Sequence, residues 1–481
     1  MLRVYQVSSA MTPEEFRRIG HALIDWLADY RERVAEYPVV SPLAPGEVRA
    51  MLPAQPPEEG GGLEPAALLE PLLPGLTHWQ HPRFFAYFPA NSDLASVLGD
   101  LASSGLGQLG LNWQASPALT ELEEQMSEWM RQLLGLPDTF KGVIQDTAST
   151  STLIALLCAR ERSTDHSQAR GGLQAEEAPL TVYASQESHS SVVKAALLAG
   201  FGRDHVRLIE TDDVLALDVA ALEAALEADL ASGKRPCALV ATTGTTATTA
   251  LDPVAEMARV AERHGLWLHV DGAMAGSAML LPECRWMWRG IVGADSVVLN
   301  PHKWLGAVFD CSLLYVRDPQ HLVRVMSTNP SYLQTAADEA ATNYRDWGIA
   351  LGRRMRSLKL YFLLMAHGAE GLRRRLRRDL DNARWLKAQV EAAADWQLMA
   401  PVPLQTVCVR HAPPGMKGDE IDVHNRAWVS RLNASGEAYL TAAQVRGRWL
   451  VRVSIGALPT EREDVAALWE AMRREAEARL R

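Results

Sequence analysis

The chain has 481 residues, 48% hydrophobic and 22% charged, with 58 acidic against 48 basic side chains and a formal charge of −10. That composition excludes a disordered or fibrous protein, leaves no basic stripe for nucleic acid, and supplies enough chain for a large core in two or three domains. Five dispersed cysteines without a C-x-x-C pair argue against a disulfide framework or a structural zinc site, so no metal is expected. They fit a reducing cytoplasm, which the lack of a charged-then-apolar leader pattern in the first twenty residues also favours. No run of eighteen uncharged apolar residues suits a membrane span.

Residues 12–36 open on Thr12, Pro13 and acidic side chains and then place Phe16, Ile19, Leu23, Trp26, Leu27 and Tyr30 at helical spacing, which predicts one amphipathic helix. The Pro/Gly-rich passage from Tyr37 to Gly75 holds short helical pieces and reads as a wrapping extension. From about 90 to 320, apolar runs such as LTVYAS, CALVATT, LWLHV and DSVVLN alternate with helical stretches, one opening on Asp252-Pro253 and closing on Gly265. This predicts a three-layer α/β domain with its ligands beyond the carboxyl ends of the strands. A connection over 326–346 is long and polar, and reads as a mobile, functional loop. A long helix over roughly 347–393 then leads to the strand candidates QTVCVRH and WLVRVSIG and a last helix from about Glu461, a smaller α+β unit. The expected division is an arm (1–90), a large α/β domain (91–365) and a small C-terminal domain (366–481).

Lys303, in DSVVLNPHKWLG, ends an apolar run, and the chain has only seven lysines among its 48 basic residues. A snorkelling lysine with a solvated tip is one reading; a desolvated amine able to condense with a carbonyl is the other. Asp271 ends the strand LWLHV and falls on the same rim. Alone it is a helix cap; beside Lys303 it suits a pyridoxal phosphate enzyme, which needs a lysine for the aldehyde and an acid for the pyridine nitrogen. The hydroxyl-rich run Thr147, Ala148, Ser149 leads into a helix whose free N–H groups suit a phosphate, although plain capping explains it equally. His189 stands at a helix head after a strand, where an imidazole can stack on a bound ring or serve as a polar starter residue, and Thr246 follows another buried strand.

Together with HPRFFAYFPA, NWQASPALTELE, SHSSVVKAAL, LWLHVDGAMAGSA, NPHKWLGAVFDCS and YRDWGIALGRRMRSLKLYF, these residues resemble the group II pyridoxal phosphate decarboxylases, in the aromatic-L-amino-acid decarboxylase branch. The resemblance spans nearly the whole chain. It implies a homodimer of the aspartate aminotransferase-like fold (type I) with an N-terminal helical arm exchanged between subunits, and pyridoxal 5'-phosphate as cofactor. Carried over residue by residue, it makes Lys303 the covalent anchor of the cofactor, Asp271 the partner of its ring nitrogen and His189 the ring stacked over it. Ala148 and Ser149 would hold the phosphate, with Thr147, Asn300 and His302 nearby and Thr246 and Ala273 around the ring. Tyr332, in NPSYLQ, matches the tyrosine that returns a proton to the substrate carbon. In related aldehyde synthases that tyrosine is often phenylalanine, or the stacked histidine is replaced, so Tyr332 and His189 favour simple decarboxylation.

For the substrate, Pro89, Ala90, Leu109, Leu111 and Phe309 are candidates for an apolar wall, and each serves equally as core. Gly352 matches a position where plant relatives with indole substrates carry glycine and those with phenol substrates carry serine. That favours tryptophan or 5-hydroxytryptophan, with tyrosine, dihydroxyphenylalanine and phenylalanine as further candidates. Departures from the family pattern fall at Ala90, where a hydroxyl residue is usual, and at Gly272 and Met274, where VDAAYAG is common. An aldehyde synthase, a decarboxylase of another amino acid such as glutamate or histidine, and a catalytically silent relative remain as alternatives.

Overall fold

The computed structural model describes residues 11–58, 60, 62–328, 337 and 340–478. Its centre is a seven-stranded sheet of β1 (Lys141–Gln145), β2 (Leu180–Ser185), β3 (Val206–Ile209), β4 (Arg235–Thr242), β5 (Trp267–Asp271), β6 (Ser296–Leu299) and β7 (Ser312–Val316), in the order β1-β7-β6-β5-β4-β2-β3. β7 runs antiparallel to both neighbours, and the other strands run parallel to one another. Every residue of β2, β5, β6 and β7 is buried. Helices on both faces leave no room for the polar alternation of a half-exposed sheet, which is why these strands read as continuous apolar runs.

Two cores flank the sheet. On one face, Met257 and Val260 of helix Val254–His264 and Leu360 and Leu363 of helix Ser357–Ala392 pack with Leu268 and Val270 of β5. On the other, Ile154, Leu156 and Cys158 of helix Ala148–Ser163 pack with Val182, Val240 and Trp267. The second sheet is antiparallel, in the order β10-β11-β9-β8, from β8 (Trp396–Leu398), β9 (Thr406–His411), β10 (Thr441–Val445) and β11 (Arg448–Ser454). Trp428 and Trp469, from the two helices Asp419–Ser435 and Arg462–Glu477, fill its core.

The first helix runs Pro13–Glu32 under a Thr12/Glu15 capping box, and none of its residues is buried. One sequence expectation changes. The long helix starts at Ser357 rather than near 347, because side-chain bonds hold the preceding segment out of it: a short 3-10 turn, Tyr344–Trp347, is followed by irregular backbone, Gln145 donates to the Trp347 carbonyl (2.9 Å), and Arg353 donates to Glu123 (2.6 Å). The helix also contains residue 365, and its own interruption comes at Gly368, with φ 59°. Near the end of the arm the Phe85 N–H donates to the Tyr439 carbonyl (3.0 Å) and its carbonyl accepts from Ser454 (2.9 Å), which ties the arm to the second sheet. Among the described residues no helix is long and apolar enough to cross a membrane.

Candidate active site

Side chains alternate along a strand, so Trp267, His269 and Asp271 of β5 share one face. His269 reaches Thr152 on helix Ala148–Ser163 (3.3 Å), which places Asp271 on the side of that helix's amino end. The Asp271 carboxylate is buried and accepts the Ala273 N–H at 2.9 Å. The next residue is glycine for a local reason: a Cβ on Gly272 would lie 2.9 Å from Cζ2 of Trp288. That indole is itself fixed by donating to the Thr243 hydroxyl at 3.0 Å.

Lys303 lies in the short turn Pro301–Leu305 between β6 and β7, with φ −91° and ψ −105°, outside the helical region. Burial pushes its pKa below the usual lysine value; Asp271 opposes that shift and the Arg452 guanidinium adds to it. Beside it, His302 accepts the Cys311 N–H at Nδ1 (3.0 Å), which assigns the proton of the neutral ring to Nε2. Burial, reinforced by the Lys303 charge, pushes the His302 pKa down to about 4. His189 caps helix Ser190–Leu198, its Nδ1 accepting from the Ser191 N–H (3.2 Å), so Nε2 again carries the proton. Its pKa is lowered by burial and then by Lys303. Thr147 caps helix Ala148–Ser163, and the first amides of that helix form an anion seat at its positive end.

These groups open on one cavity of about 220 Å³. It brings together Thr147, Ala148, Ser149, His189, Thr246, Asp271, Ala273, Asn300, His302 and Lys303. Pro89, Ala90, Leu109, Leu111, Phe309 and Gly352 do not line it. Leu109 is 53% and Phe309 61% exposed, although the Phe309 ring meets His302 edge-on at 4.8 Å. Tyr332 lies outside the described residues. Five further lining residues escaped the sequence reading of the cofactor seat: Phe88, Ser191, Thr242, Gly244 and Met274. Gly244 had a legible signal, a glycine directly after a buried strand; it has φ +90°, and an added Cβ would meet that of Ala275 at 2.7 Å. The Phe88 ring centre lies 5.4 Å from Lys303 Nζ and 5.1 Å from Arg452 Cζ.

The residues present fit pyridoxal phosphate. The cavity holds a desolvated amine, a buried carboxylate and a helix amino end, and two buried polar atoms in its wall, Asn300 Oδ1 and Thr242 Oγ1, have no hydrogen-bond partner among the described residues. An aldehyde, a pyridine nitrogen and a phosphate call for that combination, which defines a pyridoxal phosphate enzyme of fold type I.

Comparison with known proteins agrees. Residues 45–412 match the pyridoxal-dependent decarboxylase conserved domain. The chain is 38% identical over 489 residues to tyrosine decarboxylase 4 of Petroselinum crispum, covering 98% of this chain and 95% of that protein. It is 37% identical to phenylacetaldehyde synthase of Arabidopsis thaliana, with 98% of each covered. The crystal structure of Oryza sativa TDC with PLP and tryptamine superposes with a TM-score of 0.95 at 34% identity, over 98% of this chain and 100% of that one. The chain belongs to the pyridoxal-dependent decarboxylase family.

Proposed function

We propose that this enzyme decarboxylates an aromatic L-amino acid to the amine and carbon dioxide, with tryptophan or 5-hydroxytryptophan preferred. The observation that carries the reading is the convergence of Lys303, Asp271, His189 and the amino end of helix Ala148–Ser163 on one cavity, in a chain whose relatives include decarboxylases of aromatic amino acids. When bound, pyridoxal phosphate supplies an electron sink that lets the Cα–carboxylate bond break. Lys303, its ammonium form disfavoured by burial, offers a neutral amine to the cofactor aldehyde. Asp271 would hold the ring nitrogen protonated. Ala148 and Ser149 would take the phosphate with Thr147, with the Nε2–H of His302 and the amide of Asn300 nearby. His189 would face the ring, with Thr246 and Ala273 beside it, and Tyr332 would supply the proton for Cα.

Gly352 supports an indole substrate in a further way. A Cβ there would sit 3.1 Å from Cδ1 of Leu109, so any larger residue takes space from that apolar wall. The substrate wall of Pro89, Ala90, Leu109, Leu111 and Phe309 is proposed to close in a homodimer. Leu94, Leu98 and Leu101 form an exposed i, i+4, i+7 stripe, and Phe16 and Ile24 of the first helix are exposed as well, which supports a second copy covering this side. The division into arm, large domain and small domain, and a cytoplasmic location for a chain whose five cysteines are free and buried, belong to the same proposal.

The test is a substrate panel with tryptophan, 5-hydroxytryptophan, tyrosine, dihydroxyphenylalanine and phenylalanine, reading amine, aldehyde, hydrogen peroxide and carbon dioxide together. Amine equal to carbon dioxide is the expected result. Aldehyde and peroxide in step with carbon dioxide would establish the aldehyde-synthase alternative, which the similarity to phenylacetaldehyde synthase keeps in view.

A further inference from the structure

We propose that Asn91 is a positioning residue for Lys303, tying the peptide of the cofactor lysine to the small-domain turn 456–458. The inference rests on the reading of Lys303 as the cofactor's covalent anchor.

Asn91 is 1% exposed, and its carboxamide makes three bonds to two parts of the chain that are remote in sequence. Nδ2 donates to the Lys303 carbonyl (3.1 Å) and to the Gly456 carbonyl (2.8 Å), while Oδ1 accepts the Leu458 N–H (3.1 Å). The Lys303 carbonyl needs such a partner. At ψ −105° it is turned away from the direction that a helical ψ near −42° would give it, so the intrahelical ladder does not serve it. Backbone direction at a residue also sets which side-chain rotamers it can adopt, so the bond that holds this carbonyl also aims the Lys303 amine.

The segment around Asn91 is anchored on both sides. Upstream, Arg452 of β11 donates to the Tyr87 carbonyl (3.0 Å); downstream, the Asp93 N–H donates to the Gly306 carbonyl (3.0 Å). Contact at the junction is close: a Cβ at Gly456 would lie 3.0 Å from Cγ of Pro89 and 3.2 Å from Trp304, so a larger residue would press on both. A displacement of the 456–458 turn is therefore transmitted to the Lys303 peptide through one side chain. Asn91 does not line the cavity, so its effect passes through Lys303.

The decisive variants are Asn91→Asp, which keeps the acceptor for Leu458 but sets a carboxylate against two carbonyls, and Asn91→Ser, which keeps a single small donor. Folding is checked by circular dichroism. Cofactor dissociation from the apoprotein, the pH midpoint of the holoenzyme's visible band, and kcat and KM are then measured. In Asn91→Asp we expect the band midpoint to move by more than about half a pH unit, cofactor affinity to fall about tenfold and kcat to fall about tenfold with KM changed less than twofold, Asn91→Ser lying between it and the parent. If Asn91→Asp does not fold, Asn91→Ser alone decides on the band midpoint and cofactor affinity. A folded variant with parental midpoint, affinity and kcat overturns the proposal. Lys303→Ala separates the two readings: a visible band that survives it overturns the role of Lys303 itself, whereas loss of the band there with parental behaviour in the Asn91 variants overturns only the role of Asn91.

Discussion

The two sides of the site are built differently. On the cofactor side, Asp271, Asn300 and His302 are buried at strand ends or in the tight β6–β7 turn, each held by backbone geometry within one chain. On the substrate side, Leu109 and Phe309 stand open to solvent, and Gly352 is exposed at the end of an irregular segment. The described cofactor-side residues all come from one chain and are enclosed by it, whereas the substrate-side residues stand open on that chain. Cofactor binding and substrate choice should therefore be separable by mutation, with assembly mattering more to the second.

Lys303→Ala should break the cofactor side outright: activity falls by at least about a thousandfold and the visible band of the purified protein disappears. Asp271→Asn removes the charge proposed to hold the ring nitrogen protonated, and should lower kcat by about a hundredfold or more while leaving some cofactor bound, read by absorbance and by steady-state kinetics. A combined Leu98→Asp and Leu101→Asp change places two carboxylates in the exposed stripe. It should yield monomers in analytical ultracentrifugation with kcat/KM down about a hundredfold but cofactor affinity much less affected. Equal loss of both would show that the cofactor side also needs assembly. Gly352→Ser should move the ratio of kcat/KM for tryptophan over tyrosine toward tyrosine by about tenfold, without change in cofactor affinity.

The smallest effect concerns acid stability. Burial pushes both His269 and His302 from 6.5 to about 4. The unfolded chain therefore takes up protons that the folded chain refuses as pH falls from 6.5 toward 4, and stability is lost across that window rather than above it. Each histidine contributes at most about 3 kcal/mol to the loss. The buried His269→Gln variant should flatten the decline in melting temperature between pH 6.5 and 4, while the parent and variant curves run parallel above pH 7.

The cofactor side was legible in the sequence because local features write it. Buried parallel strands are apolar runs, and an aspartate, a lysine or a hydroxyl cluster stands out at the end of such a run. The runs LTVYAS, CALVATT, LWLHV and DSVVLN became β2, β4, β5 and β6. What escaped depends on contacts between distant segments. Nothing near 347–356 signals that Gln145 and Glu123 hold that stretch out of the helix. Phe88 belongs to an aromatic cluster that reads equally as core, and its place near Lys303 and Arg452 is set by β11, far along the chain. The departure from the family pattern at Gly272 has a steric partner that the sequence does not show, the buried Trp288, so it is a matter of packing.

The antiparallel β7 has a consequence for the order of assembly. Among the described residues β1 is an edge strand paired with β7 alone, Lys141–Gln145 against Ser312–Val316. Helix Ala148–Ser163, whose amino end is the proposed phosphate seat, follows β1 directly, so that end is anchored by a pairing between segments far apart in the chain. Such a contact forms late, because a long loop must close before it is rewarded. On a ribosome the amino-terminal strands emerge with their edge unsatisfied until β7 follows, and a nascent chain stopped ahead of it has the lysine without the anchored cradle. Cofactor capture is thereby a report that the whole sheet has closed.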